Sequence, residues 1–317
     1  MKVLVTGGAG YIGSTAVAML LEAGYQVKVI DDLSTGHADL ISKNAEFIEG
    51  SILNSQNLDE ALKGCDAVMH FAAKSLVGES VEKPELYRSV NVDGSNALVK
   101  QMRSHGIEKL VFSSTAATYG EPLKIPISES DAPKPKNPYG ATKLAFDEII
   151  KDSGLSAISL RYFNVAGALK SRDGWLPERH NPETHLIPNV LSATKQKPVR
   201  IFGTDWPTPD GTCIRDYVHV VDLIEAHIAA LKKLPDHQHE IINLGSGSGY
   251  SVREVIAAAE IATGRLIPVV DSERRAGDPA VLIADITKAN SYLGWQPTRD
   301  LKEMVIDTWN SMQNLMN

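Results

Sequence analysis

A tyrosine and a lysine stand four residues apart in NPYGATK, residues 137–143. On a helix this spacing puts Tyr139 and Lys143 one turn apart on the same face. A free tyrosine ionises near pH ~10, so it is a weak base at neutral pH. A nearby ammonium and a second cation would both favour the phenolate and lower that value. Tyr139 could then take a proton from a hydroxyl, provided that a hydroxyl donor and a cationic oxidant face it. Taken alone, the pair reads better as an ordinary helix start with one solvated charge, so its surroundings decide.

Two other stretches supply those surroundings. KLVFSST (109–115) is strand-like and ends in three hydroxyls, Ser113, Ser114 and Thr115. Ligands of open α/β sheets bind beyond this carboxyl edge. Near the N-terminus, TGGAGYIG places Gly7, Gly10 and Gly13 three apart, and residues 8–13 also satisfy G-x-G-x-x-G. Glycines allow the tight strand-to-helix turn and a close backbone approach to a pyrophosphate. The helix N-terminus adds free N–H groups and a positive dipole end. The next strand, VKVID, ends in Asp31, and Asp32 follows with no Arg or Lys before Lys43. A carboxylate there accepts from both adenosine ribose hydroxyls and repels a 2′-phosphate, so NAD is expected rather than NADP.

These residues need a frame, and the first half has the rhythm for one. Short apolar runs at Val3–Thr6, Val27–Ile30, Phe47–Ile48, Ala67–Phe71, Leu110–Phe112 and Ile158–Leu160 alternate with helical patterns such as Ile12–Ala23, Pro84–His105 and Tyr139–Lys151. That alternation predicts βαβ units: an α/β fold with a Rossmann-type, doubly wound parallel sheet. Residues 165–217 are rich in Pro, Asn, Asp and Gly, with a helix expected near Leu186–Lys195 and a strand at VRIF (199–202). A helix at Val220–Lys233 and a strand at Ile241–Leu244 rejoin the first pattern, and a short strand near Leu266–Val270 interrupts a mostly helical tail. The expected plan is a cofactor domain of residues 1–164 plus about 218–245. A smaller C-terminal substrate domain takes residues 165–217 and 246–317.

The chain has 317 residues, 43% hydrophobic and 22% charged, with a formal net charge of -7. No basic stripe favours nucleic acid, and a negative surface repels a phosphate backbone. The two cysteines, Cys65 and Cys213, form no Cys-x-x-Cys and no His/Cys cluster. That fits a reducing compartment and argues against a disulfide framework or a metal site. No 18-residue apolar stretch occurs, and the first residues run straight into a strand-like segment. A soluble, cytoplasmic protein without a membrane or nucleic-acid partner is expected.

TGGAGYIG, HFAA (70–73), FSSTAATYG (112–120), NPYGATK, LRYFNVAGA (160–168), HLIP (185–188), DGTCIRDYVHVVDL (210–223) and RRAGDP (274–279) together resemble the extended short-chain dehydrogenase/reductase family. Within it they are most similar to the UDP-glucose 4-epimerase branch, along essentially the whole chain. The resemblance implies that Tyr139 removes the proton of the sugar 4-hydroxyl while C4 is oxidised by tightly bound NAD. The 4-keto sugar then turns over and is reduced on its other face. Thr115 would bond the 4-oxygen, and Lys143 the cofactor ribose. It also implies a cofactor site of Gly7, Gly10, Tyr11, Ile12, Gly13, Asp31, Asp32, Ser34, Ser51, Ile52, Phe71, Ala72, Ala73, Lys74, Asn91, Tyr139, Lys143 and Phe163. On the UDP-sugar side, Asn164, Leu186, Arg215 and Arg275 would face phosphate, Arg200 and Phe202 the uracil, and Asp278 a ribose hydroxyl. His185 and Leu282 complete the implied substrate site, with Thr115 and Tyr139. A homodimer through the helices at Pro84–His105 and Tyr139–Lys151 is implied as well.

The sequence departs from that family's pattern in places. Ser51 stands where the family has an aspartate that takes the adenine amino group. Lys74 sits one position before a lysine frequent in the family, and Thr115 replaces the commoner serine. Leu282 matches the position facing the sugar 2-substituent, where tyrosine restricts the pocket and small residues admit N-acetylhexosamines. UDP-N-acetylglucosamine, UDP-pentose and uronate epimerases therefore stay open beside the UDP-glucose/UDP-galactose pair. A 4,6-dehydratase needs an acid and a base after the threonine, where this chain has Ala116 and Ala117. A non-catalytic NAD-sensing protein would have no need of the Thr115, Tyr139 and Lys143 set.

Overall fold

The computed structural model describes residues 1–275 and 277–316, so Ala276 of RRAGDP lies outside the described residues. Its centre is one parallel sheet. The strands β1 (Lys2–Thr6), β2 (Gln26–Asp31), β3 (Glu46–Glu49), β4 (Ala67–His70), β5 (Lys109–Thr115) and β6 (Ser156–Tyr162) are joined by the strand His239–Leu244. Their spatial order is β3-β2-β1-β4-β5-β6, with His239–Leu244 outside β6. The order reverses between β1 and β4, and that crevice is where such sheets bind ligands.

The strands are apolar on both faces because helices cover both. On one side Val3, Val5, Val29, Met69, Val111 and Ile158 meet Val17 and Leu20 of the helix Tyr11–Glu22 and Leu223 and Ala230 of the helix Val220–Lys232. On the other, Leu4, Ile30, Val68, Leu110 and Phe112 meet the helices Ser55–Leu62, Ser95–Ser104 and Pro138–Ser153 through Leu58, Leu98 and Phe146. Successive residues of β1 thus point into opposite cores, as the strand period requires.

The expected continuous helix over Pro84–His105 is interrupted. It runs as Pro84–Arg88, a wide π-helical turn Ser89–Gly94, and Ser95–Ser104. π-turns favour functional sites, and this one carries buried Asn91. The helix expected to reach Lys195 ends at Leu191, because Thr194 and Lys197 close a turn on each other's backbone.

After β6 the chain builds a second core around Ile187, Val190, Ile201, Val255, Met304 and Val305. Small sheets frame it. Val199–Phe202 pairs with Val269–Ser272, and Ile214–Arg215 lies between Tyr250–Ser251 and Val281–Leu282. The short strands Asn164–Ala166 and Tyr217–His219 pair in parallel just beyond the main sheet. Among the described residues, no helix is long and apolar enough to cross a membrane.

One ion pair ties the helix Pro138–Ser153 to the sheet. Arg161 on β6 donates from Nε (3.1 Å) and Nη2 (2.8 Å) to Asp147 Oδ2, and both side chains are 2% exposed. Ser114 of β5 donates to the same oxygen at 3.2 Å. The guanidinium lies 4.9 Å from the Tyr119 ring, whose hydroxyl donates to Asn243 on the strand His239–Leu244. Removing one partner of a buried pair leaves an uncompensated charge. Asp147→Asn is therefore expected to cost about 3–5 kcal/mol in urea unfolding, and the double change Asp147→Leu/Arg161→Met to recover most of it.

Two buried histidines contribute to the acid side of the stability profile. His70 bonds Thr6 Oγ1 (2.6 Å) and Ser95 Oγ (2.8 Å) beside the rings of Phe112 and Phe146. Burial, then Lys143, lowers its pKa to about 3; burial lowers His227 to about 4. Both folded-state values lie below the unfolded one, so this stability is intact above the ordinary histidine pKa and is lost as pH falls through it. Unfolding free energy should drop below about pH 6.5, by up to about 1.4 kcal/mol per pH unit for each histidine. Urea melts of His70→Gln should show a shallower slope between those pH values, and an unchanged slope would remove His70 from this account.

Candidate active site

The glycine turn is built as a backbone cradle. Gly7 has φ +71°, and a Cβ there would lie 2.6 Å from the Ala72 nitrogen. A Cβ on Gly13 would lie 2.0 Å from the Gly7 carbonyl oxygen, so only glycine lets the helix start sit this close to β1. Asp31, at the end of β2, accepts from Ala9 N at 3.0 Å and Leu33 N at 2.8 Å. Burial raises its pKa, and these two N–H groups oppose the rise. Asp32 accepts from Ser34 N at 3.0 Å, and Lys74 Nζ donates to Ser34 Oγ at 3.2 Å. The loop after β2 is thereby tied to the loop after β4.

Several residues assigned to the cofactor on resemblance act through the backbone or the scaffold. The Tyr11 ring is buried against Val220 and Val221, and its hydroxyl donates to Gly167 O at 2.6 Å. Tyr11 and Ile12 thus offer a ligand the N–H groups of a first helical turn. Ile52 lies in the core against Gly94. Ser51 accepts from Leu53 N at 3.3 Å. Asn91 directs its amide to Lys74 and Thr142: Oδ1 accepts from Lys74 N at 2.8 Å, and Nδ2 donates to Lys74 O at 2.9 Å and Thr142 Oγ1 at 3.1 Å. It fastens the loop after β4 to the helix Pro138–Ser153. Phe71, Ala72, Ala73 and Phe163 are half-buried at the carboxyl edge of the sheet, Phe71 5.0 Å from the His227 ring.

That helix explains NPYGATK. Asn137 caps it, with Oδ1 accepting from Gly140 N at 2.8 Å, and Pro138 takes the first helical position. Gly140 faces the Ala117 carbonyl, where a Cβ would stand 2.5 Å away. The close approach puts Tyr139 beside Thr115, whose side chain opposes the rise that burial gives the Tyr139 pKa. Thr115 Oγ1 also accepts from Ala117 N at 3.2 Å. One turn on, Lys143 Nζ donates to Ser113 O at 2.8 Å over the Phe112 ring. Ser113 is in turn bonded to the Tyr162 hydroxyl.

The electrostatics correct one expectation. Burial raises the Tyr139 pKa, and the hydroxyl that pulls it back is Thr115. Lys143 points at the Ser113 carbonyl instead. Burial brings Lys143 itself down to about 7, against the opposing charge of Asp147. Burial thus outweighs Thr115 and holds the Tyr139 pKa above its ordinary value.

On the facing side, Arg215 Nη2 lies 3.7 Å from Asp278 Oδ2, and the Arg275 guanidinium sits 3.9 Å from the centre of the Phe202 ring. Leu282 pairs with Arg215 across two short strands. Asn164 donates its side-chain N–H to Asp216 O at 3.1 Å, which leaves its Oδ1 outside that bond. Arg200 is exposed, and its neighbours in sequence, Val199 and Ile201, are the buried residues of the strand. Leu186 opens the helix Leu186–Leu191, and His185 caps it in extended conformation. Burial lowers the His185 pKa, but Glu178 and Glu183 outweigh this and raise it to about 10.

Asp216 had no expected role beyond an ion pair with Arg215. It is fully buried and accepts from Ser246 N, Ser246 Oγ at 2.7 Å, Gly247 N at 3.1 Å and Ala284 N at 3.0 Å. Arg161 and Asp147 were likewise absent from the expected site. Their signals, one charge inside a strand pattern and one on an apolar helix, are visible in sequence only once the fold pairs them.

The profile of the NAD dependent epimerase/dehydratase family matches residues 3–245. A UDP-glucose 4-epimerase of Corynebacterium glutamicum is 50% identical over 98% of this chain and 95% of that protein. The crystal structure of UDP-glucose 4-epimerase from Brucella ovis in complex with NAD is 43% identical, with TM-score 0.93 over 98% of this chain and 97% of that one. The UDP-glucose 4-epimerase from Stenotrophomonas maltophila, crystallised with NAD and formylated UDP-arabinopyranose, is 37% identical, with TM-score 0.95 over 100% and 99%. A glycine cradle closed by Asp31, a Thr115–Tyr139–Lys143 cluster at the sheet edge and similarity along the whole chain converge: this chain belongs to the NAD dependent epimerase/dehydratase family, among its UDP-glucose 4-epimerases.

Proposed function

We propose that the chain interconverts UDP-glucose and UDP-galactose at sugar C4 through a transient 4-keto sugar, with NAD as a retained cofactor. The observation that carries this is the close packing of the Tyr139 helix on the turn after Thr115, with Lys143 one turn on bonded to Ser113 O, beside a glycine turn that admits no Cβ. The residues present fit a dinucleotide: the cradle has no room for a Cβ at Gly7 or Gly13, and Asp31 waits at the end of β2. A carboxylate in that place suits unphosphorylated ribose.

Bound NAD in its oxidised form supplies a reversible hydride acceptor and the positive charge that favours the Tyr139 phenolate. Tyr139 Oη takes the proton of the 4-hydroxyl as C4 is oxidised, and returns it when C4 is reduced. Thr115 holds the 4-oxygen in line with Tyr139 by donating its own hydroxyl proton. Lys143 bonds the cofactor ribose, and its buried ammonium is steadied by Asp147. Arg215 and Arg275 clamp the diphosphate with guanidinium forks, Asp278 takes a ribose hydroxyl, and Arg200 and Phe202 line the uracil. Binding strength placed on the nucleotide leaves the sugar loose enough to present its other face.

Ala116 and Ala117 follow Thr115 in a short 3-10 turn, which supports epimerisation over dehydration because neither carries a transferable proton. We assign residues 1–164 and about 218–245 to the cofactor and the remainder to UDP-sugar. A homodimer in the cytoplasm fits the exposed Val77, Val81 and Leu86, which sit on helices beside Pro138–Ser153.

Incubation with UDP-galactose, without added NAD, should yield UDP-glucose by chromatography; no product even after NAD is supplied would overturn the assignment. Tyr139→Phe should keep UDP binding and lose about 10²–10⁴ in turnover. Leu282 faces the sugar 2-substituent in this reading, so wild type should turn over some UDP-N-acetylglucosamine and Leu282→Tyr should abolish that activity alone. Equal acetyl-sugar activity in both would separate Leu282 from specificity.

A further inference from the structure

The loop before the helix Leu186–Leu191 reads PERHNPETH, residues 177–185. It holds two Glu-x-His pairs in tandem, and the fold draws them onto one point. His180 Nδ1 lies 2.9 Å from Glu178 Oε1. His185 Nδ1 lies 2.6 Å from the same oxygen and 3.1 Å from Glu183 Oε1. One ligand atom from each of the four residues lies within 4.8 Å of all the others. The Glu178 side chain is only 3% exposed, so a full carboxylate is buried against two imidazoles.

We propose that Glu178, His180, Glu183 and His185 bind a single divalent transition-metal cation of the zinc class. Two imidazoles and two carboxylates are a donor set for a borderline cation; magnesium or calcium would call for oxygen alone. Tetrahedral zinc with bonds of about 2.0–2.1 Å separates its ligand atoms by about 3.3 Å, a value inside the range found here, from 2.6 Å to at most 4.8 Å. Binding replaces the proton shared between these histidines and carboxylates, which leaves as the cation enters. The expectation of no metal site rested on cysteine spacing, and a cysteine-free site of this kind escapes it.

The cation would join three segments. The Tyr11 ring, at the start of the helix after the glycine turn, meets the His180 ring edge-on at 6.4 Å. Arg179, inside the loop, pairs with Asp39 at 2.7 Å, and its carbonyl contacts His37 Nε2 at 3.2 Å. His185 caps the helix Leu186–Leu191. The role is thus positioning: the cation fixes the substrate-side helix against the cofactor turn.

The test uses the full chain, dialysed against EDTA and then metal-free buffer. Zinc chloride should be retained at one ion per chain after gel filtration and should raise the thermal midpoint. Cobalt(II) chloride should give the visible absorption of a low-coordinate centre. His180→Ala and Glu178→Gln should each lower zinc affinity by at least about tenfold, while His237→Ala, at an exposed histidine far from the loop, should not. His180 is 28% exposed, so its variant carries the test if Glu178→Gln does not fold. Retention of less than one zinc, no cobalt absorption, or equal affinity in wild type and His180→Ala would each overturn the proposal and leave an ion-paired loop.

Discussion

The buried Arg161–Asp147 pair is the constraint on which the geometry of the proposed Thr115–Tyr139–Lys143 site rests. Asp147 lies one turn after Lys143 and two turns after Tyr139 on the same helix. Fixing Asp147 to β6 through Arg161 and to β5 through Ser114 fixes the rotation of that helix about its axis. Tyr139 is then directed at Thr115, and Lys143 at the Ser113 carbonyl. A neutral, apolar contact of equal strength would tolerate some helix rotation; two donors converging on one carboxylate oxygen tolerate little. Asp147 also opposes the desolvation of Lys143, so the same carboxylate orients the helix and sustains its ammonium.

The second constraint is steric. Gly7, Gly13 and Gly140 each stand where a Cβ would strike backbone: the Ala72 nitrogen, the Gly7 carbonyl and the Ala117 carbonyl. The first brings the end of β1 onto the loop after β4, and the second brings the helix Tyr11–Glu22 onto the end of β1. The third brings the helix Pro138–Ser153 onto the turn after β5. Close backbone approach at these points sets the width of the crevice between the two halves of the sheet.

Local features of the sequence carried much of this. TGGAGYIG and its following acid, the apolar strand runs and the Tyr139–Lys143 spacing are all short-range patterns with a physical reading of their own. Partners distant in sequence were not legible. Arg161 sits inside an apolar strand, Asp147 on a helix whose other residues fit a core face, and Asp216 beside an arginine that it does not pair with. Each acquires its meaning only from a neighbour supplied by another element. The π-turn at Ser89–Gly94 was hidden for a related reason: its helical periodicity resembles that of a regular helix, and the extra residue shows only in how Asn91 meets Lys74 and Thr142.

The chain leaves the sheet after β6, builds part of the second core, returns to lay His239–Leu244 beside β6, and leaves again. The two lobes are therefore stitched by several crossings, with no single linker between them. A cleavage in the loops after β6 would leave both fragments interleaved, because the last strand of the sheet, His239–Leu244, comes from beyond the cut. Completion of the sheet must wait for residues made late in synthesis, so the sheet and the second core mature together in the life of the nascent protein.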